Sequence, residues 1–238
     1  MTFSEHSLLQ STYNPPSNPG LDLVYCDKAL LMVNKPAGLL SVPGRGKDKE
    51  DSLSARVQIK FPDACSVHRL DMDTSGLLVF ARGKEMQRRL SRMFRERRIN
   101  KLYVALVAGH VGFTAAEVEL PLLSDWPNRP RQKVDFVIGK PSFTRIRLLE
   151  YTEIAPAITM QHGKQGQDAS RIELEPVTGR THQLRVHMAA IGHPVIGDPL
   201  YGQDAGNRGT RLLLHSRSLS FAHPLNGEPM TITCEPPF

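Results

Sequence analysis

The segment VHRLDMDTSGLLVFAR, at residues 67–82, constrains the fold of this chain more than any other stretch. Its second half, GLLVFAR, is apolar on both alternating faces, which is typical of a central strand covered on both sides. Its first half places His68, Arg69, Asp71 and Asp73 directly before that strand, a position from which a rigid scaffold presents reactive groups. Taken alone, however, the segment is better explained as an ordinary turn that is capped by hydrogen bonds.

The remaining patterns predict a single α+β domain at residues 21–238, preceded by a flexible or loosely docked arm at residues 1–20 that is rich in Pro, Asn and Ser. Apolar runs predict about seven or eight strands in mixed order with three or four helices. The strands fall at LDLVYC, LLMVN, GLLVFAR, KLYVALVAG, FTRIRLLEY, ASRIELEPV and RLLLHSRSLSFAHP, and the helices at SLSARVQIKF, residues 84–98 and THQLRVHMAAIG. Ser52 is a possible N-cap of the first helix. No internal repeat and no central linker divides the chain.

Basic residues concentrate in one short stretch of the chain. The formal net charge is +6, and nine Lys or Arg residues against two Glu residues lie between Arg82 and Lys101. That stretch carries 9 − 2 = +7, which leaves 6 − 7 = −1 for the rest. Arg88, Arg92 and Arg95 lie on the outer face of the predicted helix, as expected of a phosphate-binding surface, although a solvated charged face is an equally good interpretation.

Several functional classes are excluded by missing patterns. No run reaches the roughly eighteen apolar residues of a membrane helix, and the first twenty residues do not resemble a signal peptide, so a cytoplasmic protein without a membrane partner is expected. Three distant cysteines indicate neither a disulfide framework nor a zinc knuckle. The nine histidines include no HExxH, and PGRGKDKE lacks the end of a phosphate-binding loop. Neither a metal hydrolase nor a nucleotide-binding enzyme is predicted.

A second polar cluster lies at residues 176–202, PVTGRTHQLRVHMAAIGHPVIGDPLYG. Thr178 to Thr181 are predicted to form a turn from a strand into a helix. A guanidinium offers a rigid fork to a carboxylate, so Arg180 could form an ion pair there. The alternative is a helix cap with solvent-exposed basic side chains.

Four segments together resemble the signature segments of the RluA family of pseudouridine synthases, in the family's order. They are NKPAGLLSVPG at Asn34 to Gly44, HRLDMDTSG at His68 to Gly76, KLYVA at Lys101 to Ala105, and TGRTHQLRVHMAAIGHPVIGDPLY at Thr178 to Tyr201. The resemblance implies one catalytic domain with a mixed, mostly antiparallel sheet, flanking helices and a central RNA-binding cleft. The first motif begins at residue 34, which leaves no room before it for the S4-like module of many relatives.

The resemblance also implies an activity and a substrate. Members isomerise specific uridines of structured RNA to pseudouridine, a reaction that needs neither a cofactor nor a metal. YNPP, at residues 13–16, and DWPNRPRQKV, at residues 125–134, resemble the subgroup that modifies both 23S rRNA and the anticodon stem-loop of certain tRNAs. The expected partners are therefore rRNA and tRNA stem-loops, with no protein partner required and a monomeric enzyme.

Individual residues take their expected roles from the same resemblance. Asp71 is the catalytic carboxylate, acting either as a nucleophile at C1′ or as a base at C2′, and both routes remain open. Arg180 pairs with that carboxylate, Tyr103 stacks on the target base, and Arg69 enters the RNA stack that the uridine leaves. Without the resemblance, Tyr103 is better explained as a core residue. Further expected substrate contacts are His68, Thr74, Arg88, Arg92, Arg95, Arg129 and Arg131, with Trp126 as an aromatic surface.

A catalytically silent relative is the main alternative function. An RNA-binding protein or ribosome assembly factor could keep this fold after losing activity, and its motifs would then lack the essential Asp or Arg. Both Asp71 and Arg180 are present. An enzyme is therefore favoured.

Overall fold

The computed structural model describes residues 13–154, 167–202 and 211–238. The strands are β1 (Leu23–Cys26), β2 (Leu30–Lys35), β3 (Ala64–Ser66), β4 (Ser75–Arg82), β5 (Asn100–Ala108), β6 (Ala115–Glu119), β7 (Leu122–Ser124), β8 (Gln132–Val134), β9 (Phe143–Ile154), β10 (Gln167–Pro176), β11 (Leu214–Ala222) and β12 (Pro229–Thr233). The helices are α1 (Leu53–Lys60), α2 (Gly83–Arg95) and α3 (Gln183–Ala190). None of the helices in these ranges is long and apolar enough to cross a membrane.

Ten of these strands form one mixed sheet. Its order is β1-β2-β4-β11-β5-β10-β9-β6, with β12 beside β11 and β3 beside β4. Among the pairs described, β4 and β11 run parallel and the other neighbours run antiparallel. Strands β7 and β8 form a separate hairpin. The predicted mixed, mostly antiparallel sheet with flanking helices is confirmed.

The side chains of β4 alternate between two cores, as expected of a strand that is buried on both faces. Leu77 and Val79 pack with Met86 and Leu90 of α2 on one face of the sheet. Residues 78 and 80 point to the opposite face and pack with α1. The prediction of a central strand at GLLVFAR is confirmed, and this strand anchors the loop before it.

The ends of the helices follow local chemistry. The Ser52 hydroxyl accepts a hydrogen bond from the Ala55 backbone N–H at 3.2 Å, so the predicted N-cap of α1 is confirmed. Helix α2 ends at Arg95, three residues before the predicted end. Arg97 follows with a φ of 57°, a left-handed conformation that a right-handed helix cannot include.

The structure adds short strands and shows how part of the N-terminal arm is held. The short strands β3, β6, β7, β8 and β12 were not predicted, because three to five residues carry too little periodicity to stand out. Residues 13–17 of the predicted flexible arm are bound to the domain, because the nearly buried Arg56 guanidinium donates to the Pro16 and Ser17 carbonyls at 2.7 and 3.3 Å. The Tyr13 hydroxyl also donates to the Asp51 carbonyl at 2.9 Å. Residues 1–12 of the arm lie outside the described residues.

Gly76 permits the close approach of β4 and β11. Its φ is 107°, in a region that residues with a Cβ rarely adopt, and a Cβ there would overlap the backbone of Ser216. The parallel register pairs Ser75 with His215 and Gly76 with Ser216. The glycine of the HRLDMDTSG segment therefore fixes where the loop meets the sheet.

His215 makes this junction sensitive to acid. It is fully buried, its Nδ1 lies 2.8 Å from the Ser75 hydroxyl, and its Nε2 lies 3.0 Å from the Cys234 carbonyl. Burial lowers the pKa of His215 to about 4, with only partial compensation by the Cys234 carbonyl. The folded state therefore resists a proton that the unfolded chain accepts below about 6.5.

We expect the free energy of unfolding to decrease as the pH falls from about 6.5 towards 4, because the unfolded chain then binds more protons. The His215 contribution is present above pH 6.5, and its loss is at most roughly 3 kcal/mol at pH 4. Urea unfolding from pH 4 to 8 measures it. The matched comparison is His215→Gln, which cannot be protonated there and should make the profile less steep, while other buried histidines such as His68 keep part of the slope. A variant profile as steep as that of the wild type would contradict this assignment.

Candidate active site

The loop before β4 opens onto a cleft of about 720 Å³. The cleft lies over the middle of the sheet, and the loop, β5, the end of α2 and the turn before α3 all contribute to its walls. The charged side chains that line it are mainly cationic, as expected of a surface that binds a polyanion. The cations are Arg69, Arg95, Arg97, Lys101, Arg145, Arg180 and Arg185, and the acids are Asp71 and Glu175.

Backbone contacts hold the Asp71 loop in place. Lys35 is fully buried at the end of β2, and its Nζ donates to the carbonyls of Pro36, Leu39 and Met72 at 2.7–2.8 Å. Burial lowers the pKa of Lys35 to about 7, and the nearby carboxylates of Asp73 and Asp71 oppose that shift. The lysine of the NKPAG segment therefore ties the first motif to the second.

Asp71 faces the cleft, whereas Asp73 is not among the residues that line it. Burial raises the pKa of Asp73, although the charges of Arg185 and Lys35 act against this. The structure therefore distinguishes the two acids of the motif, which their spacing in the sequence could not do. It favours Asp71 as the reacting group.

Arg185 is the basic partner of Asp71. Its Nη1 donates to Asp71 Oδ2 at 3.3 Å, and its Nε and Nη2 both donate to the Asp198 carboxylate at 2.8 Å. The side chains of Arg185 and Asp198 are 3% and 0% exposed. Burial by itself lowers the pKa of Arg185, but the hydrogen bonds and charges of Asp198 and Asp71 outweigh it and raise that pKa. The cation is therefore fixed beside Asp71 at all ordinary pH values.

The predicted pair between Arg180 and Asp71 is wrong. Arg180 lines the same cleft, but it is exposed and its Nε donates to the Pro141 carbonyl at 3.2 Å. It lies in the turn before α3, whereas Arg185 lies on the buried face of the helix. The turn itself is held by Gln183, whose Oε1 accepts from the Thr178 hydroxyl at 2.6 Å and the Arg180 N–H at 3.0 Å.

Tyr103 lies on the cleft side of β5 and is partly buried. Burial raises its pKa to about 12, so its hydroxyl remains protonated at neutral pH. Its ring is positioned to meet a base that enters the cleft, although the residue also packs against both neighbouring cores. This placement agrees with the core interpretation, and stacking of Tyr103 on a target base stays a prediction.

Two other predicted substrate contacts, His68 and Thr74, mainly contact other parts of the protein. His68 Nε2 accepts from the Val79 N–H at 3.0 Å, and its ring stacks on Phe94 with centroids 4.4 Å apart. Burial lowers the pKa of His68 to about 3, so the ring is neutral. Thr74 is buried at the edge of the cleft. Arg69, in contrast, is exposed at the cleft wall.

The predicted phosphate contacts on α2 divide into two groups. Arg88 pairs with Glu85 at 2.8 Å and Arg92 with Glu96 at 2.6 Å, both at exposed sites away from the cleft lining. Arg95 lines the cleft. The basic face therefore reaches the site only at the end of the helix.

The β7–β8 hairpin presents the other predicted contacts. Arg129 lies over the exposed Trp126 ring, with its guanidinium carbon 3.9 Å from the centroid. Arg131 lies 5.6 Å from the centroid of Tyr201. The loop from Trp126 to Lys133 thus combines an aromatic surface with cations, which is a common arrangement for binding unpaired bases.

Sequence reasoning missed Arg185, Asp198, His182 and Tyr201. All four lie inside the quoted segment from Thr178 to Tyr201, and one signal was available. An arginine within the mostly apolar helix QLRVHMAA needs a buried acid, and GDPLY supplies one. Across the described ranges, no three His, Cys, Asp or Glu side chains gather as metal ligands.

The chain matches the family model described as RNA pseudouridylate synthase over residues 29–190. It is 47% identical over 220 residues to the dual-specificity RNA pseudouridine synthase RluA of Escherichia coli (strain K12), covering 92% of this chain and 94% of that protein. The protein of the same name from Haemophilus influenzae is 45% identical over 227 residues, covering 95% and 98%. The family model covers Asp71, Tyr103 and Arg185 of the site described above.

Solved structures show the same fold. Human RNA pseudouridylate synthase domain containing 1 superposes with a TM-score of 0.76 at 33% identity, covering 94% of this chain and 87% of that one. Human RNA pseudouridylate synthase domain containing 4 superposes with a TM-score of 0.66 at 23% identity, covering 90% and 88%. The second likeness concerns the fold alone.

Proposed function

The chain belongs to the RNA pseudouridylate synthase family, as an isomerase of the RluA type, and we propose that its substrates are uridines in rRNA and tRNA stem-loops. The observation that carries this proposal is the Asp71 carboxylate, paired with a buried arginine in a cationic cleft. Two findings support two substrates. The relatives are named as dual-specificity enzymes, and this chain resembles the subgroup that modifies both rRNA and tRNA. The same family evidence disfavours a catalytically silent assembly factor.

Both routes to pseudouridine use one carboxylate oxygen of Asp71 that is free to react. Arg185 bonds to Asp71 Oδ2, and no hydrogen bond to Asp71 Oδ1 occurs within the described ranges. In one route Oδ1 attacks C1′ and the N1–C1′ bond breaks, so that its electron pair leaves with uracil. C5 of the uracil later attacks C1′ and displaces the carboxylate. In the other, Oδ1 takes the proton from C2′ as the same bond breaks and returns it after C5 attaches. In both routes C5 finally loses its proton and N1 gains one.

The neighbouring residues meet the other needs of the reaction. The detached base must stay near C1′ while it turns, and Tyr103 offers a ring and a protonated hydroxyl for this. The uridine must first leave the RNA stack, and the exposed Arg69 guanidinium can replace it against neighbouring bases. Arg180 does not pair with Asp71, and we propose that it contacts the phosphate backbone of the RNA.

Mapping of pseudouridine tests the proposed substrates. We expect rRNA and tRNA from a strain that lacks this gene to lose specific pseudouridines, and the purified protein to restore them in transcripts of both RNAs. Restoration in only one class would limit the enzyme to that class. Full modification without the gene would contradict the proposal. We further propose that the enzyme acts in the cytoplasm. We also propose that it is a monomer, and sedimentation of the pure protein measures its oligomeric state.

Charge reversal at the end of α2 separates cleft cations from surface cations. We expect Arg95→Glu to weaken RNA binding and to reduce the slope of log affinity against log salt by about 0.7 for each phosphate contact that is lost. Arg88→Glu is the matched control, because Arg88 lies on the same helix, is 75% exposed on its side chain and does not line the cleft. Filter binding across a salt series measures both. Equal slopes for the two variants would show that RNA does not follow the cleft.

A further inference from the structure

His182 lies between Asp71 and Tyr201 at the start of α3. Its backbone φ is 54°, in the left-handed region that a residue with a Cβ seldom adopts. Its side chain is 10% exposed, and its Nδ1 lies 2.7 Å from the Tyr201 hydroxyl. Unfavourable backbone conformations often mark sites where a side chain must be placed accurately.

The hydrogen bonds around Tyr201 determine where the His182 proton lies. The Tyr201 hydroxyl accepts the Gln132 backbone N–H at 2.7 Å, so its own proton is available for one acceptor. His182 Nδ1, at 2.7 Å, is placed to be that acceptor. A neutral imidazole that accepts at Nδ1 carries its proton at Nε2. Tyr201 is itself anchored, because its N–H donates to Asp198 Oδ1 at 3.1 Å.

The protonated nitrogen faces the catalytic carboxylate. His182 Nε2 lies 3.8 Å from Asp71 Oδ2, the same oxygen that Arg185 contacts. The charged groups around the ring are Asp71, Arg185, Asp198 and Arg69, and burial lowers the pKa of His182 despite the two acids. The ring is therefore a neutral donor that can close on Oδ2 with a small movement.

We propose that His182 is a positioning residue for pseudouridine formation: Tyr201 fixes its Nε2–H tautomer, and the Nε2–H acts with Arg185 to hold Asp71 Oδ2. Both donors then leave Oδ1 for the ribose. The backbone of the β7–β8 hairpin takes part through Gln132. This inference rests on the proposed function of Asp71, but the tautomer that it requires is a property of the free protein.

Two substitutions at position 182 separate the donor from the fold. His182→Gln can place an amide N–H near the position of Nε2, whereas His182→Asn can keep only the group that faces Tyr201. Asn tolerates the left-handed backbone well, so loss of activity in this variant does not reflect strain. We expect His182→Asn to lower kcat about tenfold with little change in KM, as for loss of one hydrogen bond to a charged group, and His182→Gln to recover most of it.

Nitrogen NMR of histidine-labelled protein tests the tautomer without any RNA. We expect the wild-type His182 signals to show the Nε2–H form, and Tyr201→Phe to shift them towards a mixture. Tyr151→Phe is the control, because that hydroxyl bonds to the Val111 carbonyl and does not line the cleft. An Nδ1–H tautomer, or wild-type kcat in His182→Asn, would overturn the inference. Inactive wild-type protein with the Nε2–H signals would instead contradict only the proposed substrates.

Discussion

Asp71→Asn is expected to abolish pseudouridine formation while the protein stays folded. Asparagine keeps the size of the side chain and can still accept from Arg185, but its amide can neither attack C1′ nor take a proton from C2′. The expected loss in kcat is about four orders of magnitude or more, as for other essential nucleophiles and bases. Release of tritium from RNA labelled at C5 of uridine measures turnover, and circular dichroism checks the fold.

Asp73→Asn is the matched control for this experiment. It removes a carboxylate from the same loop, two residues away, that does not line the cleft. We expect it to keep activity within about tenfold of the wild type. A residue that touches no reacting atom affects catalysis only through its packing and through the electrostatic effect of its charge. Turnover by folded Asp71→Asn near the wild-type rate would exclude Asp71 as the catalytic residue.

Arg185→Met is expected to damage stability and catalysis together. It leaves the fully buried Asp198 carboxylate without its cation, and breaking one side of such a pair costs about 3–5 kcal/mol. For a chain of this length, that corresponds to a Tm lower by roughly 10 °C. It also removes the donor to Asp71 Oδ2, so kcat should fall at least about a hundredfold at temperatures where the variant is folded.

Arg180→Met provides the comparison, because it removes an arginine from the same motif without breaking an ion pair. Its guanidinium is exposed and bonds to a backbone carbonyl. We expect unchanged stability, within about 0.5 kcal/mol, and weaker RNA binding with little change in kcat. Calorimetry and single-turnover assays with both variants measure the difference. The reverse pattern would restore the original pairing of Arg180 with Asp71.

Arg180 and Arg185 show how much of the site could be predicted from the sequence. The apolar run GLLVFAR predicted a buried strand and therefore the polar loop before it, but the role of Asp71 in that loop came from the family resemblance. It led to Arg180 and missed Arg185, because the two lie in one motif and only the structure shows that Arg180 is in the exposed turn and Arg185 on the buried face of α3. His182, which lies between them, has a left-handed φ of 54°, and this conformation could not be predicted from the residue pattern.

The sheet shows the same limit at a larger scale. The long strands could be predicted from their apolar runs, but their order could not. Strand β11 comes late in the chain and inserts between β4 and β5, a pairing that depends on tertiary contacts and not on local propensity. The short hairpin β7–β8 was not predicted, and it is held by strand pairing and by the hydrogen bond from the Gln132 N–H to the Tyr201 hydroxyl.

The insertion of β11 also governs when an active enzyme can exist during its synthesis. Asp71 lies before β4 and Tyr103 lies in β5, and in the described part of the sheet these two strands are joined through residues 214–222. A ribosome that has made the first two hundred residues therefore holds a chain whose sheet is still in two halves. Pairing across such distances in sequence is slow. Modification of RNA by this protein must wait until its last strands have left the ribosome.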